Sequence, residues 1–257
     1  MDELTRFFAF DRRLLERVST RREVFEFGEA HLDEEHPERY YSSFLLVDDD
    51  VDEATADVLA GSADRILGGS KIRHRMVVVS DVRVAERLAS GFGALGYTPS
   101  WNAIMSHRHD PDREGHVAVE EVPFDGVRAL IRETYRGDPD VPDELANGFT
   151  EQRGKKARTI GARFFVGTVD ERRAGTCELY VDGLDALVEN VVTLEEFRGR
   201  GVARSVVLRA VEVARESGAI HVFIVTDEDD WPKNLYGRLG FEQIGRTGQF
   251  LLAPTGS

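Results

Sequence analysis

Apolar residues recur along this chain at two periods. Val206, Val207, Ala210, Val211 and Ala214 follow helical spacing, while Arg204, Arg209, Glu212, Arg215 and Glu216 are mostly on the other side. The stretch reads as an amphipathic helix stopped by Ser217-Gly218. Immediately before it, Leu187 to Thr193 is a β-branched run and Arg198-Gly-Arg-Gly-Val-Ala203 a glycine turn. His221 to Thr226 is a second strand, and the connection through a helix makes it parallel to the first. Asp229, Asp230 and Pro232 open another helix, because acids favour its positive end and proline tolerates its first turn. That helix closes at Leu239-Gly240, and Phe241 to Leu252 reads as a returning strand.

Upstream, Val117 to Val122 reads as a strand, Phe124 to Tyr135 and Val141 to Gln152 as two helices, and Ala162 to Thr168 with Cys177 to Val181 as a hairpin. The order β-α-α-β-β-β-α-β-α-β is an α/β (α+β) pattern of ordinary domain size. An echo precedes it. The strand-like His74 to Asp81, a helix through Ala85, Leu88 and Phe92, Gly96-Tyr97 and Asn102 to His107 mirror the last three elements. The chain therefore reads as a diverged duplication, residues 1–112 and 113–257, with the charged loop 108–115 as linker.

Composition narrows the function. With 47 acidic against 33 basic residues in 257, the net charge of −14 repels a phosphate backbone, so nucleic acid is not an expected partner. Only Lys71, Lys155, Lys156 and Lys233 are lysines, a balance that suits a salt-rich cytosol or a GC-rich genome equally. Runs such as Phe44 to Val47 and Val222 to Val225 are far short of the roughly 20 apolar residues that span a bilayer. The N-terminus lacks a signal-peptide pattern, and the single Cys177 allows no internal disulfide. A cytoplasmic location and no membrane partner are expected. No metal site is expected either: His107-x-His109 lacks a third ligand by spacing, and the Asp48-Asp49-Asp50 run resembles a cation site only in charge. Asp227-Glu-Asp-Asp230 is better read as acids at a helix start.

The glycine turn carries the chemistry. Small residues at 199, 201 and 203 let backbone amides approach a ligand at a helix N-terminus, where unsatisfied N–H groups and the dipole favour an anion such as pyrophosphate. The spacing matches neither the Walker pattern nor Gly-x-Gly-x-x-Gly, because position 204 is Arg.

It does match Arg/Gln-x-x-Gly-x-Gly/Ala, as Arg198, Gly201 and Ala203, and so resembles the acetyl-CoA signature of the Gcn5-related N-acetyltransferase (GNAT) family. The downstream Asn234-Leu-Tyr-Gly-Arg-Leu-Gly-Phe241 is similar to that family's Leu-Tyr-x-x-Leu-Gly-Phe signature, and the element order extends the resemblance over residues 116–252. The resemblance implies the acyl-CoA N-acyltransferase fold, a mixed central sheet flanked by helices, here as a tandem repeat. It implies that backbone groups of Val191, Val192 and Thr193 pair with the pantetheine arm, and that the amides of the turn, from Arg198 through Gly199, Arg200, Gly201, Val202 and Ala203 to Arg204, hold the pyrophosphate. Tyr236 matches the tyrosine that in many relatives protonates the CoA thiolate. Many relatives have Asn seven residues before it, where this chain has Asp229.

Direct acyl transfer needs a neutral amine, a polarised carbonyl and a proton for the leaving thiolate. Glu189 is the candidate base, directly or through water, with Asn190 on the opposite face as its competitor for the cleft. Tyr236 reads equally as a core aromatic beside Leu239, and Trp101 and Trp231 as core or cleft residues. Cys177 is remote in sequence from the turn, so no acyl-enzyme is expected. Before His74 there is no matching glycine turn, since Leu67-Gly-Gly-Ser70 leads into Lys71, so the N-terminal half is expected to be degenerate and not to bind CoA. The leading expectation is an N-acetyltransferase moving acetyl from acetyl-CoA to a small-molecule or peptide amine, with a homodimer left open. An acyl-CoA-binding regulatory protein without turnover, and more weakly a nucleotide-binding α/β protein, are the alternatives.

Overall fold

The computed structural model describes residues 1–48, 51–136 and 141–254. In chain order these form α1 (Glu3–Val18), β1 (Arg21–Phe25), β2 (Gly28–Leu32), β3 (Phe44–Val47), α2 (Ala56–Ile66), β4 (Arg75–Val79), α3 (Val82–Ala94) and β5 (Thr98–His107). There follow β6 (Ala118–Val122), α4 (Phe124–Glu133), α5 (Asp143–Ile160), β7 (Arg163–Val169), β8 (Arg172–Asp182) and β9 (Asp185–Thr193). The last elements are α6 (Val202–Glu216), β10 (His221–Asp227), α7 (Pro232–Arg238) and β11 (Phe241–Leu252). The chain divides into two compact units. One comprises Met1–Asp11, Ile104–Thr226 and Asp230–Ile244; the other runs from Arg12 to Ala103, with Asp227–Asp229 and the chain from Gly245 onward.

In the first unit β6, β7, β8 and β9 are successively antiparallel, and β10 lies parallel to β9. The parallel pair follows from the α6 crossover between its strands. Side chains alternate across β8. Cys177 points to α6, where its thiol donates to the Val206 carbonyl at 3.3 Å, while Glu178 and Tyr180 point to Arg153 and Lys156 of α5. Helix α6 thus covers one face and α5 the other. The first turns of α1 share the α5 face: Phe7 meets Phe223 of β10 edge-on at 5.4 Å, and Phe10 lies 6.3 Å from it.

In the second unit β1, β2 and β3 are antiparallel, β3 and β4 are parallel through the α2 crossover, and β11 runs antiparallel to β4. Its core centres on Phe92 of α3 stacked on Phe250 at 4.3 Å, with Leu59, Ala63, Val77 and Val79 around them. Helices α2 and α3 both start on side-chain caps. Thr55 accepts from the Val58 N–H at 3.4 Å, and Asp81 from the Arg83 N–H at 2.8 Å.

The mixed sheet flanked by helices and the element order of residues 116–252 are as the periodicity indicates. Several details differ. Helix α5 runs on to Ile160 instead of ending near Gln152, because Arg153 and Lys156 are polar residues turned toward the sheet and interrupt the apolar period. Strand β8 begins at Arg172, well before Cys177. The acids before α7 do not cap it: Asp227 accepts from the Asp229 N–H and Asp230 from the Trp231 N–H, and Trp231 at the helix start has no side-chain cap. The periodicity did not yield α1, β1, β2, β3 or α2; β2, buried at every position, carries Glu29 and His31, which hide it from an apolar-run reading. The loop 108–115 is tied to the first unit by Arg108 and His109 N–H groups donating to the Gly240 carbonyl and by the Asp112 N–H donating to Arg238. Asp49 and Asp50 of the triple-Asp run lie outside the described residues. Among the described residues no helix is long and apolar enough to cross a membrane.

His31 makes the stability of the second unit pH-dependent. Its ring is fully buried, and burial, helped by Arg12 and Arg22, holds its pKa down to about 4. The folded ring stays neutral where an unfolded one is protonated, so stability is full above the unfolded pKa of about 6.5 and falls as pH drops toward 4. His74, lowered by burial too, acts in the same direction. Urea unfolding compared at about pH 7.5 and about pH 4.5 should show a loss of about 2.5 kcal/mol from His31, and a His31→Leu variant should lose that part of the slope.

Candidate active site

The parallel pairing of β9 with β10 runs only from Asp185↔His221 to Val188↔Ile224. From Glu189 onward β9 leaves its parallel neighbour, so its peptide groups on that side are open to a ligand. On the other side the register with β8 shifts: Thr176 pairs with Val192 but Glu178 with Glu189, so one β8 residue opposes two of β9. This is a bulge at Asn190, whose φ of 52° lies in the left-handed region that Asn tolerates best among non-glycine residues.

The bulge changes which way side chains point. Glu189 and Asn190, expected on opposite faces, both turn to the α5 side. Glu178, fully buried, accepts from Asn190 Nδ2 at 3.0 Å, from the Tyr180 hydroxyl and from the Arg153 guanidinium. Lys156 Nζ lies 3.0 Å from Glu189 Oε2 and 5.1 Å over the Tyr180 ring. Glu189, 34% exposed, is thus already ion-paired.

The glycine turn is open. Arg198, Gly199 and Arg200 are exposed, and Gly201 caps α6 with φ 81° and no side-chain cap, leaving the first N–H groups of the helix without one. Gly199, at φ 76°, has nothing within 4 Å of where a Cβ would stand. A Cβ on Gly201 would meet the His116 ring at 2.3 Å. Both glycines therefore keep a cradle that a side chain would strain or fill. Val202 is buried against the sheet, and Ala203 is half-buried. Arg204 sends its side chain away from the turn, to Asp112 at 2.6 Å and the Arg113 carbonyl at 2.8 Å. Arg200 is held by Asp170 at 2.8 Å. Main-chain nitrogens, with Arg198 as a flanking cation, are what the turn offers an anion. Val191, Val192 and Thr193 lie on the departing end of β9, and Thr193 Oγ1 is buried without a hydrogen-bond partner.

Tyr236 is only 6% exposed and packs edge-on to Phe241 at 6.2 Å. Burial pushes its phenol pKa up, with Cys177 and Asp230 adding to the shift, so the hydroxyl stays protonated. Since Cys177 faces α6, Tyr236 and Glu189 belong to opposite faces of the sheet, with the parting strands between them. Burial also pushes the Cys177 thiol up, which leaves it a core group and no nucleophile. His109 is hydrogen-bonded to Glu242 at 2.6 Å, and His107 packs edge-on to Phe241. Among the described residues no three His, Cys, Asp or Glu side chains gather as metal ligands. Trp101 belongs to the second unit, under the Arg246 guanidinium at 5.2 Å, and Trp231 is exposed.

Asp11, which the apolar periodicity does not single out, joins Glu189 and Lys156 as a candidate. It is half-buried, and burial, with the charge of Glu189, lifts its pKa to about 7 against the opposing effect of Lys156. The signal was present: Asp11 stands four residues after Phe7 on the apolar face of α1, where a carboxylate breaks the stripe Phe7, Phe10, Leu14.

The model of the acetyltransferase (GNAT) family matches residues 124–241. No curated protein matches the chain. Among solved structures the chain is similar to a GCN5-related N-acetyltransferase from Kribbella flavida, at 16% identity and TM-score 0.69 over 100% of this chain and 97% of that one. A conserved protein of unknown function from Staphylococcus epidermidis is similar at 14% identity and TM-score 0.67, over 89% of this chain and 92% of that one. A tandem GNAT protein from the clavulanic acid biosynthesis pathway is similar at 18% identity and TM-score 0.54, over 78% of this chain and 70% of that one. At these identities the likeness is one of fold. The region that the model of the acetyltransferase (GNAT) family matches, residues 124–241, takes in the parting strands, the bulge and the uncapped helix start.

Proposed function

We propose that this protein transfers an acetyl group from acetyl-CoA to a primary amine by direct attack in a ternary complex. The observation that carries the reading is the junction of two unsatisfied main-chain surfaces: the end of β9 beyond Val188 and the uncapped start of α6 behind Gly199 and Gly201. A pyrophosphate suits the second and an amide-rich pantetheine arm the first. The residues that would hold the group are Val191, Val192 and Thr193 along the arm, and Gly199 to Arg204 with Arg198 at the diphosphate. The thioester would supply an activated acyl carbon.

The chain's own groups would do the rest. The bulge frees an N–H of Val191 or Val192 to polarise the carbonyl oxygen. Tyr236, neutral and on the α6 face, would give its proton to the departing sulfur. Glu189 would act on the amine from the α5 face. The acceptor is a small-molecule or peptide amine, and neither nucleic acid nor membrane is a partner; the enzyme works in the cytoplasm. Residues 1–112 are in this reading a degenerate copy that holds no CoA: the crossover helix α2 satisfies its own start through Thr55, where α6 has none. The Lys156 pairing of Glu189 keeps one other reading in play, an acyl-CoA-binding regulatory protein in which the base is sequestered and turnover absent.

Isothermal calorimetry should detect coenzyme A binding to the wild-type protein. Gly201→Val, strained by about 1–2 kcal/mol at a positive φ and driven into His116, should weaken it at least roughly tenfold. Absence of any heat with coenzyme A removes the reading. Tyr236→Phe should leave coenzyme A affinity unchanged and slow thiol release in an amine panel roughly a hundredfold. Unchanged turnover would make Tyr236 a core residue alone, and no thiol release by the wild-type protein with any amine would favour the regulatory reading.

A further inference from the structure

Helix α1 is fastened to the first unit in a regular sequence. Glu3 reaches His221, the first residue of β10, at 3.3 Å; Arg6 pairs with Asp185, the first residue of β9, at 2.5 Å; and Phe7 and Phe10 pack on Phe223. Phe223 is in register with Leu187, two residues before Glu189 and on the same face. The helix therefore climbs β9 and β10 toward the end where they part, and its next inward position is Asp11. Lys156 reaches the same place from α5. Among the described residues no side chain closes a hydrogen bond or ion pair on the Asp11 carboxyl, while Glu189 has Lys156.

Resting on the acetyl-transfer reading, we propose that Asp11, not Glu189 alone, is the group that takes the proton from the acceptor ammonium, with Glu189 and its Lys156 partner fixing the charge around it. In the step an N–H bond of the ammonium breaks and an O–H bond forms on Asp11, leaving a neutral amine. The amine lone pair then forms the C–N bond as the C–S bond breaks. Tyr236 gives its proton to the departing sulfur and is reprotonated, through water, by the second nitrogen proton, so that ammonium and thioester give amide, thiol and one proton released to water from Asp11. Two carboxylates against one lysine make the acceptor subsite anionic, which selects a cationic amine, an alkylammonium, over an amide or an alcohol.

The chemistry needs a base that is ionised near neutrality yet holds a proton once it has one. Asp11 meets that through its burial and the Glu189 charge, opposed by Lys156; the Glu178–Arg153 pair lies beyond them on the same face. An ordinary carboxylate at about pKa 4 would stay ionised well below neutrality but would accept an ammonium proton far less readily. The sign is fixed: as pH falls through about 7 Asp11 is protonated, and activity should fall with it.

Butylamine is the probe. Carbon-detected NMR of aspartate-labelled protein, with the Asp11 signal assigned by its loss in Asp11→Asn, should show a carboxyl titrating near 7 that shifts downward when butylamine is added with coenzyme A present. With acetyl-CoA and butylamine, Asp11→Asn should lose roughly a hundredfold in thiol release and the acid limb of the pH profile, at unchanged coenzyme A affinity, and Asp11→Glu should restore part of both. A carboxyl titrating near 4, or one that butylamine does not move, overturns the proposal. So does an Asn variant with the wild-type rate and pH profile. If butylamine is not turned over, the carboxyl titration alone decides. Loss of coenzyme A binding by the wild-type protein would instead strike the acetyl-transfer reading.

Discussion

The candidate site depends on one buried carboxylate. Glu178 accepts from Arg153, Tyr180 and Asn190 in a place water does not reach, and burying both members of such an ion pair is costly unless their lone pairs and protons are satisfied. Removing one partner from a pair of this kind typically costs about 3–5 kcal/mol. That constraint holds Asn190 in the left-handed region, and the bulge in turn gives β9 its departure from β10. Glu178 thus sets where the main chain of β9 is left open.

The bulge also sorts the ionisable groups. By turning Glu189 and Asn190 to the same face it gathers Glu189, Lys156 and Asp11 on the α5 side, and leaves Tyr236 and Cys177 on the α6 side. The proposed acid and base are separated by the parting strands. In the acetyl-transfer reading the groups for the amine would meet the site from one face and the group for the thiolate from the other, as an attack through the gap requires. The two crossover helices make a parallel contrast. Helix α2 starts on Thr55, whose side chain takes up an N–H; α6 starts on Gly201, which has none to give. The difference between a closed and an open helix start is one side chain.

How much of this was legible depended on the range of the interaction. The strand, turn and helix around the glycines could be read because apolar periodicity and the need for positive φ at Gly199 and Gly201 are properties of neighbouring residues. The same holds for α7 and β11. The N-terminal elements α1 to α2 were not read, because β2 and α1 carry Glu29, His31 and Asp11 at positions that packing buries. The end of α5 is hidden from the apolar period for the same reason: Arg153 and Lys156 face inward.

The sequence by itself determined the order of elements from residue 116 to 252, the mixed sheet and the position of the cradle, because short-range sterics and the hydrophobic period act within a few residues. Only the tertiary structure decided that Glu189 is paired, that Asn190 shares its face, that Arg204 points away from the turn, and that Asp11 lies within reach of the charges of Glu189 and Lys156. Those outcomes depend on groups far apart in the chain, and on burial, which sets the cost of a charge and is defined only once the chain has closed around it.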